Sequence, residues 1–161
     1  MDIFKQAVER ELEIEKRYRE LAARAPNMGL QKIFTMLADQ EATHAEIFGN
    51  LQKAHGGAVE GDLFAAAKEA FAGISIDNDE LTVPDPEIAL YQKVREFERE
   101  SRDLYRAAAE KATDPKDRAV LLEMADEEDR HYVLMDNLLE FVSQPKVWLE
   151  NAEWNQLGAA Y

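Results

Sequence analysis

The stretch Leu37–Phe48 reads LADQEATHAEIF. It is helical in pattern from end to end, with Leu37, Ala38, Ala45 and Phe48 at the spacing of one buried stripe. Glu41 and His44 fall in the middle of that stripe. Burying a carboxylate and an imidazole there is costly unless they are paired or hold a metal. A single Glu-x-x-His is a weak signal, because surface pairs of this kind are commonplace. Its recurrence changes the reading: the stretch Met124–His131, MADEEDRH, repeats the pair as Glu128 and His131.

Working outward, the few prolines and glycines act as punctuation for an all-α chain. One helix is predicted from about Asp2 to Ala25, ending before PNMG, and a second from about Leu30 to Ala54, ending at HGG, where Gly56 and Gly57 suit a C-terminal cap. A third starts at DPE, with Asp85 as cap and Pro86 in the first turn, and runs to about Ala112. TDPKD restarts the chain as a fourth helix reaching about Val142. The short turns make helices 1–2 and 3–4 antiparallel hairpins. The crossover between them, about residues 55–85, includes DLFAAAKEAFAGI and is long enough to let helix 3 run parallel to helix 2. The expected organisation is a four-helix bundle over residues 1–144 and a short C-terminal helix within 145–161, anchored by Trp148 and Trp154.

An offset of 87 positions superimposes the two hairpins without a gap. Glu11 meets Glu98, Tyr18 meets Tyr105, Glu41 meets Glu128 and His44 meets His131. Two copies of a helical hairpin are too few for a solenoid. They read instead as a pseudo-twofold bundle in which each hairpin buries its stripe against the other. The recurring polar residues lie on those inner stripes. Glu15, whose counterpart is Arg102, reads as surface, as do Asp39 and Asp126; His55, beside Gly56, has no counterpart in the pattern.

Residues at i and i+3 are neighbours on a helix, so Glu41 and His44 can aim at one point, as can Glu128 and His131. Glu11 and Glu98 can close the ring from the other two walls. Left empty, such a ring would raise its carboxylate pKa values through desolvation and mutual repulsion. Two divalent metals would balance four carboxylates and leave both imidazoles neutral. One Glu from each of two helices plus Glu-x-x-His from the other two is the pattern of di-iron and di-manganese carboxylate bundles. Iron or manganese suits this donor set, with zinc a further occupant. Tyr18 and Tyr105, two turns from Glu11 and Glu98, are placed to hydrogen-bond a ligand carboxylate.

Composition narrows the alternatives. The chain has no cysteine, which excludes disulfides, iron–sulfur clusters and thiolate metal sites within it. A formal charge of −14 argues against nucleic acid as a partner. No apolar run is long enough for a membrane span and no signal peptide is visible, so the expected location is the cytoplasm.

EIEKRY following Glu11, LADQEATH, EFERESRDLY and MADEEDRH together resemble the rubrerythrin branch of the ferritin-like superfamily, over roughly Met1 to Phe141. The resemblance implies a ferritin-like bundle with a carboxylate-bridged di-iron site that reacts with hydrogen peroxide or dioxygen, in a homodimer or higher homo-oligomer. On that basis Glu41 and Glu128 bridge, Glu11 and Glu98 are terminal ligands, and His44 and His131 take one metal each. Two departures stand out. Without the four-cysteine rubredoxin iron site, an external electron donor is needed. Ser101 also stands where the family carries an extra glutamate associated with peroxide chemistry. The expected activity is peroxidase- or ferroxidase-type oxidoreduction; iron handling or storage is the alternative, and a metal-free partner-binding bundle the third reading.

Overall fold

The computed structural model describes residues 3–53 and 85–144. They form helices α1 (Ile3–Arg24), α2 (Met28–Lys53), α3 (Asp85–Lys111) and α4 (Pro115–Ser143). Among the described residues there is no strand, and no helix is long and apolar enough to cross a membrane. The expected crossover helix, the glycine cap at Gly56 and Gly57, and the tryptophan-bearing C-terminal helix lie outside the described residues.

Side-chain caps set the helix starts more sharply than apolar spacing does. α2 begins two residues before the expected Leu30 because Asn27 caps it: Asn27 Oδ1 accepts the Leu30 N–H at 2.9 Å, and its carbonyl accepts that of Gln31 at 3.0 Å. At α4, Asp114 Oδ1 accepts the Lys116 N–H at 2.8 Å, with Pro115 in the first turn. The Arg118 guanidinium then reaches back to the carbonyls of Ala109 and Ala112, both at 3.2 Å, tying the end of α3 to the start of α4. Carbonyls in the last turn of a helix lack the usual intrahelical partner; that of Ala109 also accepts the Ala112 N–H at 3.3 Å.

Ring contacts give the directions of the helices. Phe4 faces Phe48 and Tyr18 faces Phe34, so α1 and α2 are antiparallel. Arg102 meets Asp129 and Arg95 meets Asp136, so α3 and α4 are antiparallel as well. Phe34 packs edge-on against Tyr91 (5.1 Å between centroids) and Phe48 against Tyr105 (4.9 Å). Both pairs are 57 positions apart, so α2 and α3 run parallel.

The apolar core falls into two clusters. One gathers Ile14, Tyr18, Leu30, Phe34, Leu37, Tyr91 and Phe141 with their neighbours. The other gathers Ala7, Phe48, Leu51, Tyr105, Leu121 and Met124. Each fully buried Leu, Ile or Phe stabilises the fold by about 1.5–3 kcal/mol. That is enough in sum to carry a polar layer whose ions each cost several kcal/mol to desolvate.

Candidate metal centre

The polar layer lies between those clusters, and all four helices contribute to it. α1 supplies Glu11, α2 supplies Glu41 and His44, α3 supplies Glu98, and α4 supplies Glu128 and His131. Five of the six are 0 % exposed and His44 is 1 % exposed. They form two overlapping groups, Glu11–Glu41–His44–Glu128 and Glu41–Glu98–Glu128–His131. Within each group, one oxygen or nitrogen per residue lies within 4.8 Å of all the others. Glu41 and Glu128 belong to both groups; the other four side chains belong to one each.

Both imidazoles present Nδ1 to the carboxylates. His44 Nδ1 lies 3.1 Å from Glu128, 3.5 Å from Glu41 and 3.7 Å from Glu11. His131 Nδ1 lies 2.7 Å from Glu41 Oε1 and 3.9 Å from Glu98. The rings stack at 5.6 Å between centroids, tilted by 11°.

These close approaches leave hydrogen-bonding capacity unused. Eight buried polar atoms of the six residues have no hydrogen-bond partner: one oxygen each of Glu11 and Glu98, both oxygens of Glu41 and Glu128, and Nδ1 of both histidines. His131 Nδ1 and Glu41 Oε1 approach to 2.7 Å as an ion pair, without hydrogen-bond alignment. An unsatisfied buried polar atom costs about 1–3 kcal/mol, more if charged. Eight such atoms converging on one layer form two groups that could hold a metal ion. Oxygen-rich donors with one imidazole per group fit divalent iron or manganese.

Electrostatics of the metal-free cluster point the same way. Burial, reinforced by Glu41, pushes the Glu11 carboxyl up to about 8. Burial and the charges of Glu11, Glu41 and Glu98 hold Glu128 well above the usual range. Glu41 departs from the expectation that every carboxylate is raised: burial raises it, but His131, in close contact, with a hydrogen bond from Glu11 and a smaller contribution from His44, leaves it below its ordinary value. Burial opposes charge on the histidines, yet the carboxylates win. His44 is raised by Glu11, Glu128 and Glu41, and His131 rises to about 10 under Glu41 and Glu98. For Glu11, Glu128, His44 and His131 the surroundings thus favour the protonated form.

The two predicted tyrosines bridge α1 and α3 in opposite senses. Tyr18 O–H donates to Glu98 Oε1, and Tyr105 O–H donates to Glu11 Oε1. Burial, with Glu98 beside Tyr18 and Glu11 beside Tyr105, raises both phenols well above their ordinary value, so they remain donors. Glu15 pairs with Arg19, Asp39 with Arg19 and Asp126 with Arg106, all away from the layer. His55 lies outside the described residues.

Spacing on single helices missed the contacts that cross between them. Gln40 Oε1 lies 2.9 Å from His131 Nε2, on the side of the ring away from the carboxylates. Its counterpart under the 87-residue offset, Glu127, is buried at 8 % exposure and accepts from Arg130 on its own helix. Arg10, next to Glu11, donates to the buried Ser101 hydroxyl (2.5 Å), the Phe97 carbonyl (3.0 Å) and Glu100 (2.9 Å), closing the α1–α3 seam. The available signal for Gln40 was its repeat: positions 40 and 127 are both polar and both immediately precede a shared glutamate.

No curated protein and no solved structure matches the chain. A family model described as Rubrerythrin matches residues 2–139, which include all six ionisable residues of the layer.

Proposed function

The chain belongs to the rubrerythrin family, and on that premise we propose that it is a non-haem di-iron carboxylate protein of the peroxidase or ferroxidase type. Glu11 and His44 would hold one metal and Glu98 and His131 the other, with Glu41 and Glu128 bridging. The carrying observation is the convergence of eight unpartnered buried atoms on one layer. Two 2+ ions would neutralise four carboxylates while leaving the imidazoles uncharged. An iron pair held there would supply redox chemistry, two electrons to hydrogen peroxide or dioxygen as both ions went from ferrous to ferric.

The protein's own share of the work is placement and exclusion. Tyr18 and Tyr105 hold one oxygen each of Glu98 and Glu11, leaving the second oxygen of each directed inward. The apolar clusters above and below keep bulk water from the layer and so strengthen every charge interaction within it. Electrons for repeated turnover would come from an external donor, and the working form would be a cytoplasmic homodimer or higher homo-oligomer.

One observation favours the second reading, iron handling or storage without efficient turnover. Where the family carries its extra glutamate, Ser101 offers only a hydroxyl, and Arg10 already occupies it. Elemental analysis of protein purified without chelator, followed by anaerobic Fe(II) loading and peroxide addition with and without a reductant, tests both readings. Two metals per chain with sustained peroxide consumption establish the enzyme. Two metals with a single equivalent consumed establish the handler. An absence of metal binding would overturn both.

A further inference from the structure

The two halves of the centre carry the same candidate ligands, and both histidines present Nδ1, but the residue preceding the shared glutamate is Gln40 in one half and Glu127 in the other. His131 offers Nδ1 to the layer, while Gln40 Oε1 stands 2.9 Å from Nε2 at the far side of the ring. A metal at Nδ1 needs that nitrogen bare, so the ring proton must sit on Nε2, where the Gln40 carbonyl oxygen accepts it. The same bond fixes the rotation of the ring. Hydrogen bonds of this kind to the outer nitrogen set tautomer and orientation in metal sites, and losing one commonly weakens metal binding 10–100-fold.

The residue standing to His44 as Gln40 stands to His131 is Glu127, and its carboxylate is engaged by Arg130 on the same helix. The inner nitrogens differ as well. His131 Nδ1 sits 2.7 Å from one bridging candidate, Glu41, whereas the closest carboxylate approach to His44 Nδ1 is 3.1 Å, at Glu128. A neutral amide serves the His131 ring, and at the corresponding position of the other hairpin stands a carboxylate that accepts from an arginine.

We propose that Gln40 is a positioning residue that makes the Glu98–His131 position the tighter of the two, so that the centre loads in two unequal steps. This rests on the di-metal reading above. The inequivalence suits a protein in which one ion stays resident while the other exchanges.

The test is an anaerobic titration of the full chain with Fe(II), and in parallel with Zn(II), followed by calorimetry. The wild type should show two steps, the first at least ten-fold tighter than the second. Gln40→Ala should weaken that first step 10–100-fold and bring the two steps together, whereas Gln40→Glu, which keeps an acceptor, should restore the separation. Nitrogen-15 NMR of the Zn(II)-loaded protein gives a readout that a general packing role would not move. The His131 ring should carry its proton on Nε2, slowly exchanging in the wild type and rapidly exchanging in Gln40→Ala. Circular dichroism and an unchanged metal-free melting temperature confirm that the variant folds. Two sites filling with equal affinity in the wild type, or a first step untouched in Gln40→Ala, would overturn this inference and leave the di-metal reading standing. A wild type that binds neither metal removes both.

Discussion

The hairpin α1–α2 and the hairpin α3–α4 are alike at the centre and unlike at its rim. Residue for residue, Glu11 and Glu98, Glu41 and Glu128, His44 and His131 coincide under the 87-residue offset, and the tyrosines reciprocate across α1 and α3. One step outward the likeness fails. Gln40 corresponds to Glu127, Ile14 to Ser101, and Arg10 to Phe97. Yet Arg10 and the carbonyl of that same Phe97 are hydrogen-bonded to each other, so two equivalent positions have become a complementary pair across the pseudo-twofold. A duplicated scaffold thus supplies a twofold set of candidate ligands, and the residues around them are where the two halves diverge.

The largest effect should come from ligands that do not belong to one half alone. Glu41 is common to both groups, so Glu41→Ala should abolish tight binding of both metals, while Glu11→Ala or Glu98→Ala should each leave about one per chain by elemental analysis. Metal at a thousand times its Kd stabilises a fold by about 4.1 kcal/mol. For a chain of this size that is a melting-temperature rise of roughly 8–16 °C. Glu41→Ala should lose that rise entirely, and a rise retained in full would remove Glu41 from the ligand set.

The pH dependence comes next. Glu11, Glu128, His44 and His131 all have raised pKa values in the metal-free fold, so it binds more protons than the unfolded chain. Stability falls with rising pH wherever that holds. For Glu11 the loss runs between its ordinary 4.5 and about 8; for His131 it runs between 6.5 and about 10. Glu41 works oppositely, adding stability above its ordinary 4.5 that is lost only in acid. Metal must displace the bound protons, so its apparent affinity should climb over the same range. Melting curves from pH 6 to 9 should therefore show the metal-free and metal-loaded proteins drawing apart, and a constant gap would contradict the proton count.

Smaller and symmetric effects are expected from Tyr18→Phe and Tyr105→Phe. Each leaves one buried carboxylate oxygen without its donor, at a cost of about 1–3 kcal/mol in denaturant-unfolding experiments. A large inequality between the two would show that the halves differ at the ligands themselves and not merely at the rim. Smallest of all are the equivalent surface pairs, Arg19–Asp39 at 2.8 Å and Arg106–Asp126 at 3.8 Å. Arg19→Ala and Arg106→Ala should each shift stability by roughly 0.5 kcal/mol or less, despite the 1 Å difference in their pairs.

Helical periodicity and the repeat made the inward positions of the six ionisable residues legible, because burial on a helix follows from spacing alone. The parallel run of α2 and α3 could be anticipated only as a possibility opened by a long connection; Phe34–Tyr91 and Phe48–Tyr105 establish it. What spacing cannot encode is which side chains meet across helices. Gln40 touches a ring 91 positions away, and Arg10 a hydroxyl equally distant in sequence. The lowered Glu41 was illegible for the same reason, since it depends on the close approach of His131 from another helix.

The two apolar clusters have a mechanical consequence. Every one of the four helices contributes residues to both, and every one crosses the polar layer on the way. A helix that detaches along its whole length gives up contacts in both clusters and in the layer. An ion seated in that layer should therefore slow the amide hydrogen exchange that proceeds through whole-helix opening, at both extremities at once.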